Sequence, residues 1–173
     1  MKFLILGATG MAGHTISIYL QEQGHDVTAF SKSKFPYCKN INGDATDEKL
    51  LKSILMENEY DVVINCIGIL NSNDYLLAAY LIKKSNQIES IKMVDILKDT
   101  KTKLIHMSTD CVFSGKSGSY NEDSFKDGET FYDRTKALGE VIDNKNLTFR
   151  NSIIGPDMKE NGIGLFNWFM KQS

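Results

Sequence analysis

The sequence has 173 residues, with 20 basic and 22 acidic side chains and a formal net charge of −2, and this length suits one domain with a sizeable core. No basic block stands out, which argues against a nucleic acid or an anionic membrane as a partner. The longest apolar runs, such as Phe3–Leu6, are far too short to span a bilayer.

Short apolar runs alternate with longer helical patterns along the chain, an order typical of βαβ units in a parallel sheet. The predicted strands are Lys2–Leu6, Asp26–Phe30, Ile41–Asp44, Asp61–Cys66, Lys103–Met107 and Leu147–Arg150. The predicted helices run from the first glycine loop to about Gly24 and over Asp47–Asn58, Tyr75–Lys98 (one long helix or two in sequence) and Phe131–Val141. Together they predict an α/β domain over residues 1–173, with the doubly wound parallel sheet of a Rossmann fold.

Three glycines with G-x-x-G-x-x-G spacing, Gly7, Gly10 and Gly13, separate the first strand from the first helix. Gly7 permits a tight turn, Gly10 lets the backbone approach a pyrophosphate, and Gly13 allows close contact between helix and sheet. The first N–H groups of the helix would face the phosphates. We predict that this loop, with Thr9 and Met11, binds a dinucleotide; the alternative is a glycine-rich turn without a ligand.

The second strand ends without the carboxylate that would hydrogen-bond the ribose hydroxyls and favour NAD. Ser31 and Lys32 stand there instead and could hold a ribose 2′-phosphate, by hydrogen bond and by charge. The prediction is therefore a preference for NADP(H), with NAD(H) as the second choice. The alternative is a solvated basic loop.

Two further segments fall where predicted strands end. Asp44, followed by Ala45, could accept a hydrogen bond from the adenine amino group, or it could cap the next helix, for which Asp47 or Thr46 is the better candidate. Cys66-Ile67-Gly68 offers an edge of small residues against which the cofactor could lie, or it is an ordinary exit from strand to loop.

Tyr132 and Lys136 are spaced i and i+4, which puts them on one face of a predicted helix. Reduction of a carbonyl by hydride transfer leaves an alkoxide that needs a proton donor. A lysine ammonium nearby is expected to lower the pKa of the tyrosine phenol, about 10 in isolation, and to donate to the nicotinamide ribose. The alternative is a half-buried tyrosine beside a surface lysine.

Ser108-Thr109-Asp110 comes directly after the fifth predicted strand. A hydroxyl there can hydrogen-bond a substrate carbonyl oxygen and polarise it, whereas ordinary turn chemistry is the alternative. Because ligands bind at the carboxyl ends of such strands, we expect Gly10, Thr109 and Tyr132 to surround one crevice.

With these residues, the chain resembles the extended short-chain dehydrogenase/reductase family. Within it, the chain is most similar to the dTDP-4-dehydrorhamnose reductase (RmlD-like) branch, which acts on sugar nucleotides. The most specific match is STDCVFSG at Ser108–Gly115, and further matches are Gly118–Asp123, Lys136–Glu140 and Leu147–Gly155.

The resemblance implies roles for several residues. Thr109 would be the catalytic hydroxyl, Tyr132 the proton donor and Lys136 its partner. Thr109 and Asp110 would border the sugar, and Asn86 would be a structural asparagine. Because helices beside the sheet often form dimers in this family, a homodimer is the assembly that the resemblance implies.

The chain departs from the family pattern at three points. Asp133 stands where the family usually has a glycine, and Lys83–Asn86 is unusually polar for a helix that often packs against a partner subunit. Full members also run longer, and their C-terminal part supplies most of the sugar-nucleotide pocket. We therefore expect the C-terminal substrate part to be absent or truncated here.

The predicted function is NADP(H)-dependent reduction of a 4-keto group on a nucleotide-linked deoxysugar. The alternatives are a module that binds NADP(H) without catalysis and an epimerase or dehydratase of the same sugar class. Thr109, Tyr132 and Lys136 together favour the enzyme, whereas the missing C-terminal part favours the module. Dehydratases generally add acidic residues after the catalytic threonine, where Asp110-Cys111 supplies one.

The three cysteines, Cys38, Cys66 and Cys111, are an odd number and lack the spacing of metal ligands. Free thiols in a reducing compartment are therefore expected, and no metal site. Met1-Lys2 leads straight into the first strand with no signal-peptide cleavage pattern. A cytoplasmic location is the corresponding expectation.

Overall fold

The computed structural model describes residues 1–68, 89–158, 162 and 164–172. In these residues a six-stranded sheet is formed by β1 (Lys2–Leu6), β2 (Asp26–Ser31), β3 (Lys39–Asn42), β4 (Val62–Asn65), β5 (Lys103–Thr109) and β6 (Leu147–Asn151). All neighbouring strands are parallel, and their order is β3-β2-β1-β4-β5-β6. The winding therefore reverses at β1, and the predicted doubly wound sheet is confirmed.

The described residues contain five α-helices. They are α1 (Met11–Glu22), α2 (Glu48–Glu57), α3 (Glu89–Leu97), α4 (Phe131–Leu138) and α5 (Leu165–Met170). Asp47 caps α2 by accepting hydrogen bonds from the backbone N–H groups of Lys49 and Leu50, so the predicted cap is confirmed. No helix in this part of the chain combines the length and apolar character needed to cross a bilayer.

The central strand β1 is buried on both faces because alternate side chains join different clusters. Leu4 and Leu6 pack with α2 residues such as Leu51, whereas Phe3 and Ile5 belong to the cluster on the opposite face. None of these four β1 side chains is more than 7% exposed. A shift of one residue would exchange the two faces, so this packing fixes the register of the strand and the loop that follows it.

Parallel pairing brings the carboxyl ends of the strands to one edge of the sheet. Leu6, the last residue of β1, is paired with Phe30 of β2 and with Asn65 of β4. Thr109, the last residue of β5, is paired with Asn151 of β6. The loops after β1, β4, β5 and β6 therefore start next to one another.

The third strand lies two residues earlier than predicted. It covers Lys39–Asn42 rather than Ile41–Asp44, because the chain turns away once Asn42 has paired with Ser31 of β2. The carboxylate of Asp44 makes this turn by accepting hydrogen bonds from the backbone N–H and the hydroxyl of Thr46, each at 2.9 Å.

Two helix predictions also need adjustment. The helix predicted over Phe131–Val141 ends at Leu138, where Gly139 is its C-cap, and Val141 packs into the core instead. Of the helix predicted over Tyr75–Lys98, α3 is the described part, and residues 69–88, which include Asn86, lie outside the described residues.

Candidate active site

A cleft of about 690 Å³ lies at the carboxyl edge of the sheet. It is lined by the last residues of β5 and β6, the first residues of α1, one residue of α4, and the loops after β1, β4, β5 and β6. The predicted site residues in its lining are Thr9, Gly10, Met11, Cys66, Gly68, Thr109, Asp110 and Tyr132. The structure therefore brings Gly10, Thr109 and Tyr132 to one crevice, as expected from the strand order.

The glycine loop between β1 and α1 is a tight turn. Gly7 has a φ of +79°, which favours glycine, and Gly10 closes the turn by donating its backbone N–H to the Gly7 carbonyl at 2.9 Å. A Cβ atom on Gly13 would lie 2.2 Å from that carbonyl oxygen. Gly13 therefore permits the close approach of α1 to the end of β1.

The N-terminus of α1 is the part of the cleft that suits a phosphate. Gly10 is its N-cap residue and makes no side-chain cap hydrogen bond, so the first N–H groups of this 12-residue helix keep their capacity to bind an anion. A Cβ atom on Gly10 would lie 3.3 Å from the Gly7 carbonyl oxygen. This cradle fits the pyrophosphate of a dinucleotide.

The residues after β2 and β3 lie beside the cleft rather than in its lining. The ammonium of Lys32 pairs with the carboxylate of Asp44 at 2.9 Å, and both side chains are exposed. Hydrogen bonds from Thr46 and this pairing lower the pKa of Asp44 to about 2. Ala45 is buried in the core.

Ser31 does not present its hydroxyl as predicted. Its side chain is buried, and its Oγ lies 2.6 Å from the carbonyl oxygen of Ser33 and 3.1 Å from Oδ1 of Asn40. The hydroxyl is thus held inside the loop. Of the two residues predicted to hold a 2′-phosphate, Lys32 alone is exposed.

Cys66-Ile67-Gly68 leaves β4 beside the glycine loop. Ile67 packs against the core and donates its backbone N–H to the side chain of Asn65 at 3.1 Å, while Cys66 and Gly68 line the cleft. Burial raises the pKa of the Cys66 thiol to about 12. All three cysteines of the protein are free, and among the described residues no group of three or more potential ligands could hold a metal.

The end of β5 supplies the hydroxyl of Thr109. The strand continues beyond the predicted end at Met107, so that Thr109 is its last residue and is followed by a 3₁₀ turn over Asp110–Val112. Its buried hydroxyl accepts a hydrogen bond from the backbone N–H of Cys111 and donates to Asp110, each at 3.2 Å. These bonds fix the hydroxyl at the cleft.

The side chains of Tyr132 and Lys136 are both removed from solvent, Lys136 more completely than Tyr132. Tyr132 is half-buried, and burial raises the pKa of its phenol, although a hydrogen bond with the Thr109 side chain acts in the opposite direction. Lys136 is 3% exposed and donates to the backbone carbonyl of Met107 at 2.6 Å. Burial lowers the pKa of Lys136 to about 8.

This geometry corrects one expectation and removes one alternative. The lysine was expected to lower the pKa of the phenol, but the Tyr132 pKa is raised, and the Lys136 ammonium is directed to the main chain of β5. Conversely, the reading of Lys136 as a surface residue is wrong because the side chain is buried.

Comparison with known proteins identifies the family. Residues 1–153 match the model of the RmlD substrate binding domain. The chain belongs to the RmlD substrate binding domain family. The sequence resemblance is thereby confirmed.

Similar proteins include biosynthetic reductases. The chain is 29% identical to the probable low-salt glycan biosynthesis reductase Agl14 of Haloferax volcanii, over 81% of this chain and 48% of that protein. It is 28% identical to a dTDP-4-dehydrorhamnose reductase of Streptomyces griseus, over 80% of this chain and 43% of that protein. The chain thus spans about half the length of the curated relatives it matches.

A solved structure has the same fold. WbmG of Bordetella bronchiseptica, crystallised in complex with NAD, superposes with a TM-score of 0.82. The match covers 99% of this chain and 59% of that one, at 20% sequence identity. At this identity the likeness establishes the fold alone.

The structure explains how this member of the RmlD family uses Asp133, where the family usually has glycine. Its carboxylate accepts a hydrogen bond from the backbone N–H of Thr130 at 2.8 Å, and the Thr130 hydroxyl accepts one from the backbone N–H of Asp133 at 3.1 Å. This capping box fixes the start of α4 one residue before Tyr132.

Three cleft or support residues were missed by the sequence patterns. Asn151 lines the cleft at the end of β6, where the rule of carboxyl strand ends could have found it. Asp157 also lines the cleft and accepts a hydrogen bond from the backbone N–H of Gly164 at 3.0 Å. No local sequence motif marks it as a site residue. Glu140 follows the C-cap of α4 and accepts hydrogen bonds from Ser108 and Arg150. Because these partners are distant in sequence, no local pattern could have identified it.

Proposed function

We propose that this protein is an NADP(H)-dependent reductase of a 4-keto group on a nucleotide-linked deoxysugar. The observation that carries the proposal is the single cleft lined by Gly10, Thr109 and Tyr132. It combines a phosphate cradle with a hydroxyl and a phenol that line the same cleft. The names of the Haloferax and Streptomyces relatives support reductase chemistry on sugar nucleotides.

In this mechanism the N-terminus of α1 and Gly10 would hold the pyrophosphate of the cofactor, and Cys66 and Gly68 line the same cleft. When bound, NADPH supplies a hydride to the carbonyl carbon. The hydroxyl of Thr109 and the phenol of Tyr132 hydrogen-bond the carbonyl oxygen and fix its position.

Tyr132 supplies the proton that completes the reduction. As the carbonyl carbon gains the hydride, negative charge develops on the oxygen, and the phenol proton moves to it. The product carries a hydroxyl, and the Tyr132 phenolate regains a proton from solvent. Lys136, one helical turn away, is buried and donates to the carbonyl of Met107, so it holds the helix that carries Tyr132 against β5.

The proposal is tested by measuring NADPH oxidation in the presence of each member of a panel of 4-keto sugar nucleotides. Turnover with at least one member is the expected result. Binding of NADPH without turnover by any of them would support the non-catalytic module instead. A protein that binds neither NADPH nor NADH would contradict both.

Gly10→Val tests the phosphate cradle. The added side chain should block the approach of a pyrophosphate to α1, and we expect cofactor affinity to fall by at least about 100-fold, the equivalent of roughly 2.7 kcal/mol. Calorimetric titration measures the affinity, and a urea unfolding curve checks that the variant is folded. Unchanged affinity in a folded variant would move the cofactor site elsewhere.

The NADP(H) preference is proposed on the basis of Lys32. Its ammonium is exposed beside the cleft, and its partner Asp44 is exposed as well, so a 2′-phosphate can compete for the same charge. We expect Lys32→Ala to weaken NADPH binding about tenfold, because a charge-assisted hydrogen bond contributes about 1.5 kcal/mol or more, and to leave NADH binding unchanged.

Lys34→Ala, two residues along the same loop, is the matched control and should change neither affinity. Both cofactors are titrated against each protein at fixed salt, since exposed charges are screened. If the wild-type protein bound NADH more tightly than NADPH, the preference would be wrong.

A further inference from the structure

The side chains of Asn65 and His106 form a hydrogen-bonded pair inside the protein. Asn65 is the last residue of β4 and is paired in register with His106 of β5. Both residues are 1% exposed, and Nδ2 of Asn65 lies 3.2 Å from Nδ1 of His106. Because β4 lies between β1 and β5, the pair joins the middle of the sheet to the strand that carries Thr109.

A second hydrogen bond fixes the orientation of the Asn65 amide. Oδ1 of Asn65 accepts the backbone N–H of Ile67 at 3.1 Å. A backbone N–H can only donate, so the amide atom that faces it is the oxygen, and the NH₂ group faces His106. This NH₂ group can also only donate, so Nδ1 of His106 is the acceptor and carries no proton. Burial lowers the pKa of His106 to about 3, which agrees with a neutral ring protonated at Nε2.

The N–H of Ile67 belongs to the loop that leaves β4 and touches the glycine turn. A Cβ atom on Gly7 would lie 3.2 Å from the carbonyl carbon and oxygen of Cys66 and from Cγ1 of Ile67, so the two turns are in close contact. Cys66 and Gly68, on either side of Ile67, line the cleft. The side chain of Asn65 therefore holds the loop at the point where it meets the glycine turn.

His106 acts on this loop through the Asn65 amide. Without an acceptor at Nδ1, the buried NH₂ group would lose this hydrogen bond, and the loss of a partner inside a protein costs free energy. Rotation of the amide towards another acceptor would then take its oxygen away from the Ile67 N–H. The orientation that suits the loop is thus the one that the histidine ring selects.

We propose that Asn65 and His106 are positioning residues that hold the loop Cys66–Gly68 against the glycine turn and so set one wall of the cofactor site. The effect of the pair on cofactor affinity rests on the proposed function, whereas its effect on the loop does not. A pair that only stabilised the sheet would lower the free energy of unfolding when removed and leave the folded loop and its ligand affinity unchanged.

The tautomer of His106 is measured by NMR of the wild-type protein with ¹⁵N-labelled imidazole rings, and His106→Asn assigns the signals. We expect the signal of an unprotonated nitrogen from Nδ1 and that of a protonated nitrogen from Nε2 at neutral pH. A proton on Nδ1 would overturn the proposal, because the Asn65 amide could not donate to it.

His106→Leu and His106→Asn separate the acceptor from the bulk of the side chain. Leucine offers no acceptor, whereas the asparagine oxygen, like Nδ1 of histidine, is bonded to Cγ. In His106→Leu we expect hydrogen exchange of the Ile67 amide to become about tenfold faster and NADPH affinity to fall about tenfold, the equivalent of roughly 1.4 kcal/mol. His106→Asn should recover most of both.

Unchanged exchange of the Ile67 amide in a folded His106→Leu protein would overturn the proposal. If that variant does not fold, Asn65→Ala is measured instead, since it removes the acceptor of the Ile67 N–H directly. Exchange as slow as in the wild type would again contradict the assignment. Faster exchange with unchanged NADPH affinity would show that the loop is held by the pair but is not a wall of the cofactor site.

Thr102→Val is the matched control. The hydroxyl of Thr102 is buried and donates to the carbonyl of Tyr60 at 2.6 Å, just before the start of β5 and thus at the opposite edge of the sheet. This variant should unfold at lower urea concentration, but it should change neither NADPH affinity nor the exchange of the Ile67 amide, because a loop amide exchanges by local opening. A wild-type protein that binds no dinucleotide would defeat the proposed function, while the His106 tautomer and the Ile67 exchange would still decide whether the pair holds the loop.

Discussion

Tyr132→Phe is expected to reduce turnover by about 10²- to 10⁴-fold, the range for loss of a general acid, with NADPH affinity unchanged. The substitution removes the phenol oxygen alone. The ring keeps its half-buried site, and the bond from Lys136 to the Met107 carbonyl does not involve it. Turnover is measured as NADPH oxidation with the best substrate from the panel, and affinity by calorimetry.

The control is Tyr37→Phe, which removes a phenol from a side chain that is 51% exposed and that is absent from the cleft lining; it should be fully active. The dependence of turnover on pH gives a second test. Burial raises the Tyr132 pKa and lowers that of Lys136 to about 8, so activity should decline first as pH rises through the lysine titration. Equal turnover in wild type and Tyr132→Phe would show that the proton donor is another group.

Gly13→Ala is expected to destabilise the fold by about 3 kcal/mol or more, the upper range for overpacking, or to prevent folding. The new Cβ would lie 2.2 Å from the oxygen and 2.8 Å from the carbon of the Gly7 carbonyl, and 2.9 Å from Cα of Ala8. These are backbone atoms of a tight turn, so they cannot rotate away as a side chain would.

A loss of stability would be informative because replacing glycine with alanine inside a helix normally stabilises the fold by about 1 kcal/mol. Gly10→Ala is the matched control, since its Cβ would meet the same carbonyl oxygen at 3.3 Å, and we expect a change of less than about 1 kcal/mol. Urea unfolding measures both. A Gly13→Ala protein as stable as the wild type would show that the helix does not approach the loop this closely.

The alternation of strands and helices could be predicted from the sequence because it is a local property. A run such as Val62–Ile64 is apolar because both of its faces are covered, and a parallel sheet requires such strands. Element ends were less predictable. β3 ends early because Asp44 turns the chain, and α4 ends at Leu138 with Gly139 as its C-cap.

The electrostatics of the candidate site could not be read from spacing. The i, i+4 pattern puts Tyr132 and Lys136 on one face, but it does not indicate that burial dominates both pKa values. Nor does the sequence indicate that Lys32, after β2, forms an ion pair with Asp44, after β3. Burial and pairing depend on contacts between distant segments, which periodicity does not contain.

The end of β5 places a restriction on how the protein can change over evolution. Ser108 and Thr109 are consecutive, so their side chains point to opposite sides of the strand, one toward Glu140 and the other toward Asp110 and Cys111. A deletion or insertion of one residue within Lys103–Met107 would turn both side chains to the opposite face of the strand, because β4 and β6 hold the strand on both sides. A gain or loss of a single codon in this strand would therefore remove the Thr109 hydroxyl from the cleft.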